Sequence, residues 1–149
     1  MKAPDDAAFR ITLAKGYLER AEGDFSEKKW DRVVGSAQEA VENAGKSILY
    51  HFRPIPNTHD VDKALRELIA RKIAPQSICI RLDKELDAFL DMGKEKHNLA
   101  TYGDEQAHIA PWELFQEPAA KTALDKARRA VALAEQIFSE MTKPPPESD

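Results

Sequence analysis

The sequence predicts an all-α fold: an antiparallel bundle of four long helices and one short helix. Glycine supplies only 6 of 149 residues, about 4% against the usual ~7%. Alanine occurs 22 times, whereas valine, isoleucine and threonine together occur 19 times. An alanine-rich chain with few β-branched residues favours helices. So few glycines argue against a sandwich or barrel, which needs a turn every few residues.

Two long helices are predicted in the first third of the chain. The first begins near Pro4, followed by two acids that suit a helix N-terminus, and ends at Gly23–Asp24. Its apolar face comprises Ala7, Ile11, Ala14, Leu18, Ala21 and Phe25. The second spans 26–52 and is stopped by the prolines of Arg53–Asn57. Its apolar face comprises Trp30, Val33, Ala37, Val41, Ala44, Ile48 and Phe52.

The rest of the chain predicts a short third helix over 58–72, a fourth over 76–101 and a fifth from Pro118. The apolar residues of the fifth helix repeat at intervals of four and three, which predicts a packing seam: Ala120, Leu124, Ala127, Val131, Ala134, Phe138 and Met141. A loop over 102–117 separates the last two helices. We expect one domain over 1–142 and a disordered Pro-rich tail over 143–149.

Charge and cysteine content limit the class of protein. A net charge of −4 gives no sign of a broad nucleic-acid surface, although a local basic patch remains open. The single cysteine, Cys79, cannot form an internal disulfide, which fits a reducing compartment. The first residues resemble no secretory signal, and no apolar run reaches the length of a membrane span. We therefore expect a cytoplasmic protein without a membrane partner.

The sequence contains no P-loop, no G-x-G-x-x-G, no H-E-x-x-H and no C-x-x-C motif. Its four histidines stand at 51, 59, 97 and 108, and no two lie three or four residues apart. Helical metal sites use such spacings, so we expect neither a bound metal nor another cofactor.

Three polar segments could carry function. Gln38, Glu42 and Lys46 form a row on the second helix, which predicts either an exposed Glu42–Lys46 ion pair or a polar rim beside a cleft or partner surface. The break from Arg53 to His59 is either a Pro-rich turn or a basic loop that binds an anion. The third segment, 94–104, contains several donors and acid–base groups: His97, Asn98 and Tyr102.

Glycines within and around the helices also carry information. Segment 94–104 can equally be a frayed helix end capped by Gly103. Gly93 is predicted inside the fourth helix, on its packed face. Gly45 lies inside the second helix at a cost of about 0.5–1 kcal/mol relative to alanine, which points to close approach of a partner backbone or a ligand.

The second helix resembles the signature of the HEPN superfamily (higher eukaryotes and prokaryotes nucleotide-binding). The string Ser36–Leu49, SAQEAVENAGKSIL, is similar to the A-Q-x-A-x-E-x-x-x-K-A-x-L of that family. His59-Asp60-Val61 resembles the His-Asp-Leu that follows it in relatives. Leu99–Asp104, LATYGD, followed by a proline, an aromatic residue and an Ala-rich helix, is a third similarity. The resemblance covers about residues 5–140.

The resemblance implies a helical bundle that often dimerises. Many members are metal-independent RNases, toxins paired with a small nucleotidyltransferase antitoxin, that use an R-x(4–6)-H motif. Others bind nucleotides or partners without catalysis. This chain has no arginine between Leu82 and Ala127, and His97 stands about where relatives carry the arginine. Arg53-x(5)-His59 has the motif's spacing but crosses the Pro-rich break.

The missing arginine matters because attack by an RNA 2′-hydroxyl needs both a base and a group that stabilises phosphate charge. His97 could be the base, but Lys94, Lys96 or Arg53 would have to replace the arginine. We therefore expect a non-catalytic or weakly active module that binds a nucleotide, RNA or a nucleotidyltransferase, as a homodimer. The alternatives are an RNase toxin and a plain dimerisation scaffold. The candidate residues are His97 and Tyr102 for catalysis, and Arg53, His59, Lys46, Glu42 and Asn98 for ligand binding.

Overall fold

The computed structural model describes residues 3–52 and 60–143, and side chains from residue 5 onward. Its elements in chain order are α1 (Ala3–Ser26), α2 (Trp30–Tyr50), α3 (Val61–Ala70), α4 (Gln76–Lys84), a 3-10 turn (Leu86–Ala88), α5 (Lys94–Tyr102), α6 (Pro111–Leu114) and α7 (Glu117–Thr142). These residues include no strand, only one isolated bridge between Asp104 and Ile109. The prediction of an all-α fold is confirmed. The predicted tail falls almost wholly outside the described residues.

Helix α2 is the centre of the bundle. Helices α1 and α7 pack along it, and α3, α5 and α6 also contact it. As a result every residue from 40 to 49 is buried, including the polar ones. Much of the contact uses alanine, which lets helix axes approach closely: Ala14 and Ala21 of α1, Ala37, Ala40 and Ala44 of α2, and Ala127, Ala130 and Ala134 of α7. No helix in the described part of the chain is long and apolar enough to span a membrane.

The predicted seam of α7 is largely buried. Its first five residues belong to the core, Phe138 is partly buried, and Met141 is 40% exposed near the helix end. Several predicted boundaries differ from the structure: α2 is Trp30–Tyr50 instead of 26–52, and α3 is Val61–Ala70 instead of 58–72. Helix α1 runs three residues past Gly23, and the loop predicted over 102–117 contains the short helix α6.

The predicted fourth helix is wrong as one continuous element. The chain leaves α4 after Lys84, forms the 3-10 turn, and begins α5 only at Lys94. Gly93 therefore precedes a helix instead of lying inside one. The Asp60 Oδ1 accepts a hydrogen bond from the backbone N–H of Lys94 at 2.9 Å, which satisfies one of the unpaired donors at the start of α5. This contact with a distant part of the chain outweighs the local preference for a longer helix.

The predictions for Gly103 and Gly45 agree better with the structure. Gly103 is the C-cap of α5 with φ of 77°, a conformation that favours glycine. At Gly45 a Cβ atom would lie 2.5 Å from Cγ2 of Val61, so the expected close approach is present. The approaching group is the Val61 side chain at the start of α3, however, and not a backbone or a ligand.

Candidate functional site

The polar row on α2 is buried, and the prediction of an exposed ion pair is wrong. Gln38 is 0% exposed, Glu42 5% and Lys46 7%. The Lys46 ammonium lies 2.9 Å from the Glu42 Oε2, and the Gln38 Nε2 donates to the Glu42 Oε1 at 3.1 Å. Burial of both charges is tolerable because each has a hydrogen-bonded partner. Neighbouring elements of the bundle therefore shield the row almost completely from solvent.

Gln38 connects this row to α5. Its Nε2 also lies 3.3 Å from the backbone oxygen of Met92, and its Oε1 lies 3.2 Å from Nδ1 of His97. The same Nδ1 is 3.3 Å from Oε1 of Glu39. One predicted catalytic residue, His97, is therefore joined through Gln38 to two predicted ligand-binding residues, Glu42 and Lys46.

His97 lies in a shallow groove between α1, α2 and α5. The groove has a volume of about 360 Å³ and is lined by Arg20, Asp24, Asp31, Arg32, Gly35, Ser36, Glu39, His97, Ala100 and Thr101. Within residues 3–52 and 60–143, neither arginine forms an ion pair. The Arg20 guanidinium stacks 5.2 Å above the Tyr17 ring, and Arg32 is exposed. Both arginines thus line the same groove as the histidine. This groove is the candidate site.

The structure does not bring all predicted site residues into this groove. Tyr102 is 63% exposed and is not among the residues that line the groove. Asn98 lines a different groove of about 540 Å³ between α3 and α5, together with Lys94 and Lys96. Arg53 and His59 lie outside the described residues, so their predicted roles stay predictions.

Comparison with protein families gave one result over nearly the whole chain. A family model described as HEPN domain matches residues 7–143. The chain belongs to the HEPN family. Comparisons with the curated proteins and with the solved structures gave no match. HEPN domains are nucleotide-binding or RNase-like modules, and the helical bundle described above is consistent with that class.

In this HEPN domain two of the residues considered as replacements for the missing arginine, Lys94 and Lys96, do not line the groove at His97. Lys96 pairs with Asp91 at 3.2 Å and lies 5.8 Å from the Phe115 ring centre. Lys94 lines the groove on the α3 side. The guanidinium groups near His97 come instead from α1 and α2. Among the residues that the structure describes, no three His, Cys, Asp or Glu side chains could hold a metal ion.

Sequence reasoning did not name three residues of the candidate groove, which are Arg20, Arg32 and Glu39, and it gave Gln38 only a place in the polar row of α2. A usable signal was present for Arg20. Helices α1 and α2 form an antiparallel pair around a short connection, which places Arg20 beside Ser36, because these two residues lie at similar distances from that connection. For Gln38 the sequence showed only a polar row, and nothing in the sequence indicated that α5 would contact Gln38 and Glu39.

Proposed function

We propose that this HEPN domain binds the phosphate groups of a nucleotide or of RNA in the groove at His97. The observation that carries the proposal is the position of Arg20 and Arg32, which line the same groove as His97 and form no ion pair within the described parts of the chain. An unpaired guanidinium is well suited to phosphate, which it can bind with two parallel hydrogen bonds. The hydroxyl groups of Ser36 and Thr101 add further hydrogen-bonding capacity.

The groove suits a small number of phosphates. Asp24, Asp31 and Glu39 line it as well, so the local charge is mixed rather than strongly basic. A long basic surface would bind nucleic acid mainly through counterion release, and the net charge of −4 argues against such a surface. We therefore propose a local contact with one or two phosphates, which fits a nucleotide or a short single-stranded segment of RNA.

RNA cleavage is a second candidate function, because His97 supplies a base and the arginines supply positive charge in one groove. The arginines are exposed and have no ion pair in the described residues to fix them in place. Catalysis by charge stabilisation depends on donors that are already in position. We therefore propose that any cleavage by this domain is slow.

The binding proposal is tested by titrating fluorescent octauridylate without metal ions. A variant with Arg20→Ala and Arg32→Ala should bind about tenfold more weakly, because two phosphate contacts are lost. The slope of log affinity against log salt should become shallower by about 1.4. The matched control carries Arg66→Ala and Arg71→Ala, which removes one exposed arginine of α3 and the exposed arginine at its C-cap, and it should bind like the wild type. An equal loss of affinity in both variants would refute the groove as the binding site.

The resemblance also supports proposals about partners and location. We propose a homodimer, a nucleotidyltransferase as protein partner and a cytoplasmic location. Light scattering at high concentration tests the first, because a single monomer peak would contradict it. Co-purification from the native host tests the second, and absence of a nucleotidyltransferase from the complex would count against a toxin–antitoxin role.

A further inference from the structure

The orientation of the Gln38 side-chain amide is fixed by chemistry. On one side it faces two oxygens, the Met92 carbonyl at 3.3 Å and the Glu42 Oε1 at 3.1 Å. Both are acceptors, so the amide must present its NH₂ group there. In the reverse orientation three oxygens would face one another at a residue that is 0% exposed, where unsatisfied polar groups are costly. The Gln38 Oε1 must therefore face His97.

This orientation determines which nitrogen of His97 carries a proton. Its Nδ1 faces two oxygens, Oε1 of Gln38 at 3.2 Å and Oε1 of Glu39 at 3.3 Å. A nitrogen between two acceptors must be a donor. Nδ1 is therefore protonated in both the neutral and the charged imidazole, and proton exchange is confined to Nε2.

We infer that Gln38 is a positioning residue that holds His97 in the Nδ1–H form, so that Nε2 is the atom that acts on a ligand. The role toward a ligand rests on the proposed function, whereas the tautomer does not. Neutral Nε2 accepts a hydrogen bond from a ligand hydroxyl, such as that of a ribose. Protonated Nε2 donates one to a phosphate oxygen.

The tautomer can be read directly from long-range ¹H–¹⁵N NMR correlations of the wild-type chain, at a pH where the imidazole is neutral. We expect His97 to show the Nδ1–H pattern. His108, which is exposed, serves as an internal reference for a solvated histidine and should show the Nε2–H pattern that water favours. An Nε2–H pattern or an even mixture at His97 would overturn the inference without any mutation.

Two variants separate Gln38 from Glu39. Gln38→Met keeps the volume but removes the contacts of the amide, so that only the partly exposed Glu39 carboxylate still faces Nδ1, and the Nδ1–H population of His97 should fall. Glu39→Met removes that second acceptor and should leave the Nδ1–H form in place, because Gln38 still faces Nδ1. If Gln38→Met keeps the wild-type pattern, or Glu39→Met loses it, Gln38 is not the residue that sets the tautomer. The Glu39→Met result tests the role of Gln38 even if Gln38→Met does not fold.

Addition of octauridylate tests the role toward a ligand. Binding in the groove should shift the Nε2 resonance of His97 and leave the hydrogen bond from Nδ1–H to Gln38 in place. Binding that depends on Arg20 and Arg32 but leaves Nε2 unchanged would overturn the positioning role. Absence of any RNA binding, together with the Nδ1–H pattern, would refute the proposed function and leave the tautomer assignment standing.

Discussion

The carboxylate of Asp60 occupies the space in which a side chain at Gly93 would begin. A Cβ atom at Gly93 would lie 1.9 Å from Oδ1 of Asp60, the same oxygen that accepts the hydrogen bond from the Lys94 N–H. This contact fixes the start of α5, the helix that carries the candidate catalytic residue His97. The glycine is required for the approach of Asp60 and not for an unusual backbone angle, since its φ is −106°.

Gly93→Ala should therefore destabilise the fold. The new methyl group must displace the Asp60 side chain, and α5 then loses its cap. We expect the free energy of unfolding to fall by about 1–3 kcal/mol. Gly16→Ala is the matched control, because that glycine lies in α1 with open space around it. The control should be stabilising by about 0.5–1 kcal/mol. Urea unfolding measures both, and a neutral Gly93→Ala would contradict the packing described here.

The buried Glu42–Lys46 pair predicts a characteristic double-mutant result. Lys46→Met removes the ammonium that pairs with the buried Glu42 carboxylate, and we expect a loss of about 3–5 kcal/mol in the free energy of unfolding. Adding Glu42→Gln should recover most of the lost stability, since the remaining groups are uncharged. If the effects of the two substitutions on the free energy of unfolding simply added, the pair would not interact in the way its 2.9 Å separation indicates.

Arg129 joins α7 to the turn before α5 and should contribute to stability in a pH-dependent way. Its guanidinium contacts Glu85 at 2.6 Å and Asp87 at 2.7 Å, and it lowers the pKa of Asp87. A carboxyl whose folded pKa is lowered stabilises the fold above its ordinary pKa and loses that effect as pH falls. Arg129→Ala should cost about 1 kcal/mol or less at pH 7, because the site is exposed.

The difference between Arg129→Ala and the wild type should shrink as the pH falls below about 4, where the carboxyl groups become protonated. Thermal unfolding at several pH values measures it. A difference that stays constant down to pH 2 would show that Arg129 acts through packing of its side chain instead of its charge.

Cleavage assays separate His97 from Tyr102. If the domain hydrolyses RNA without metal, His97→Ala should abolish most of that activity, since removing a catalytic base costs about 10²–10⁴-fold. Tyr102→Phe should have no effect, because this ring is 63% exposed and does not line the groove. Loss of activity in Tyr102→Phe alone would place the reaction outside the groove at His97.

The helices were predictable because the apolar residues of α1, α2 and α7 repeat along one face. The interruption between α4 and α5 was not, since it depends on Asp60, which precedes Lys94 by 34 residues. The burial of Gln38 could not be predicted from the sequence either. A helical repeat indicates which face is most apolar, but it cannot show whether other elements cover the remaining faces. Family resemblance identified the HEPN string, whereas the shared groove of Arg20 and His97 depends on the packing of both α1 and α5 against α2.

Burial of His51 predicts acid sensitivity at the far end of α2. Its ring lies 5.9 Å from those of Phe52 and Phe138, and its Nε2 is buried without a hydrogen-bond partner in the described residues. Desolvation lowers its pKa, so the unfolded chain takes up the proton more readily. Stability should therefore fall as the pH drops below about 6.5, and be unaffected by this group above it.

The variant His51→Phe keeps an aromatic ring between the two phenylalanines and removes the titrating group. Its free energy of unfolding should vary less between pH 7 and pH 5 than that of the wild type. The control is His108→Asn: this exposed residue has φ of 58°, which asparagine tolerates, and its replacement should leave the pH dependence unchanged. Parallel curves for His51→Phe and the wild type would show that His51 is not the source of the acid sensitivity.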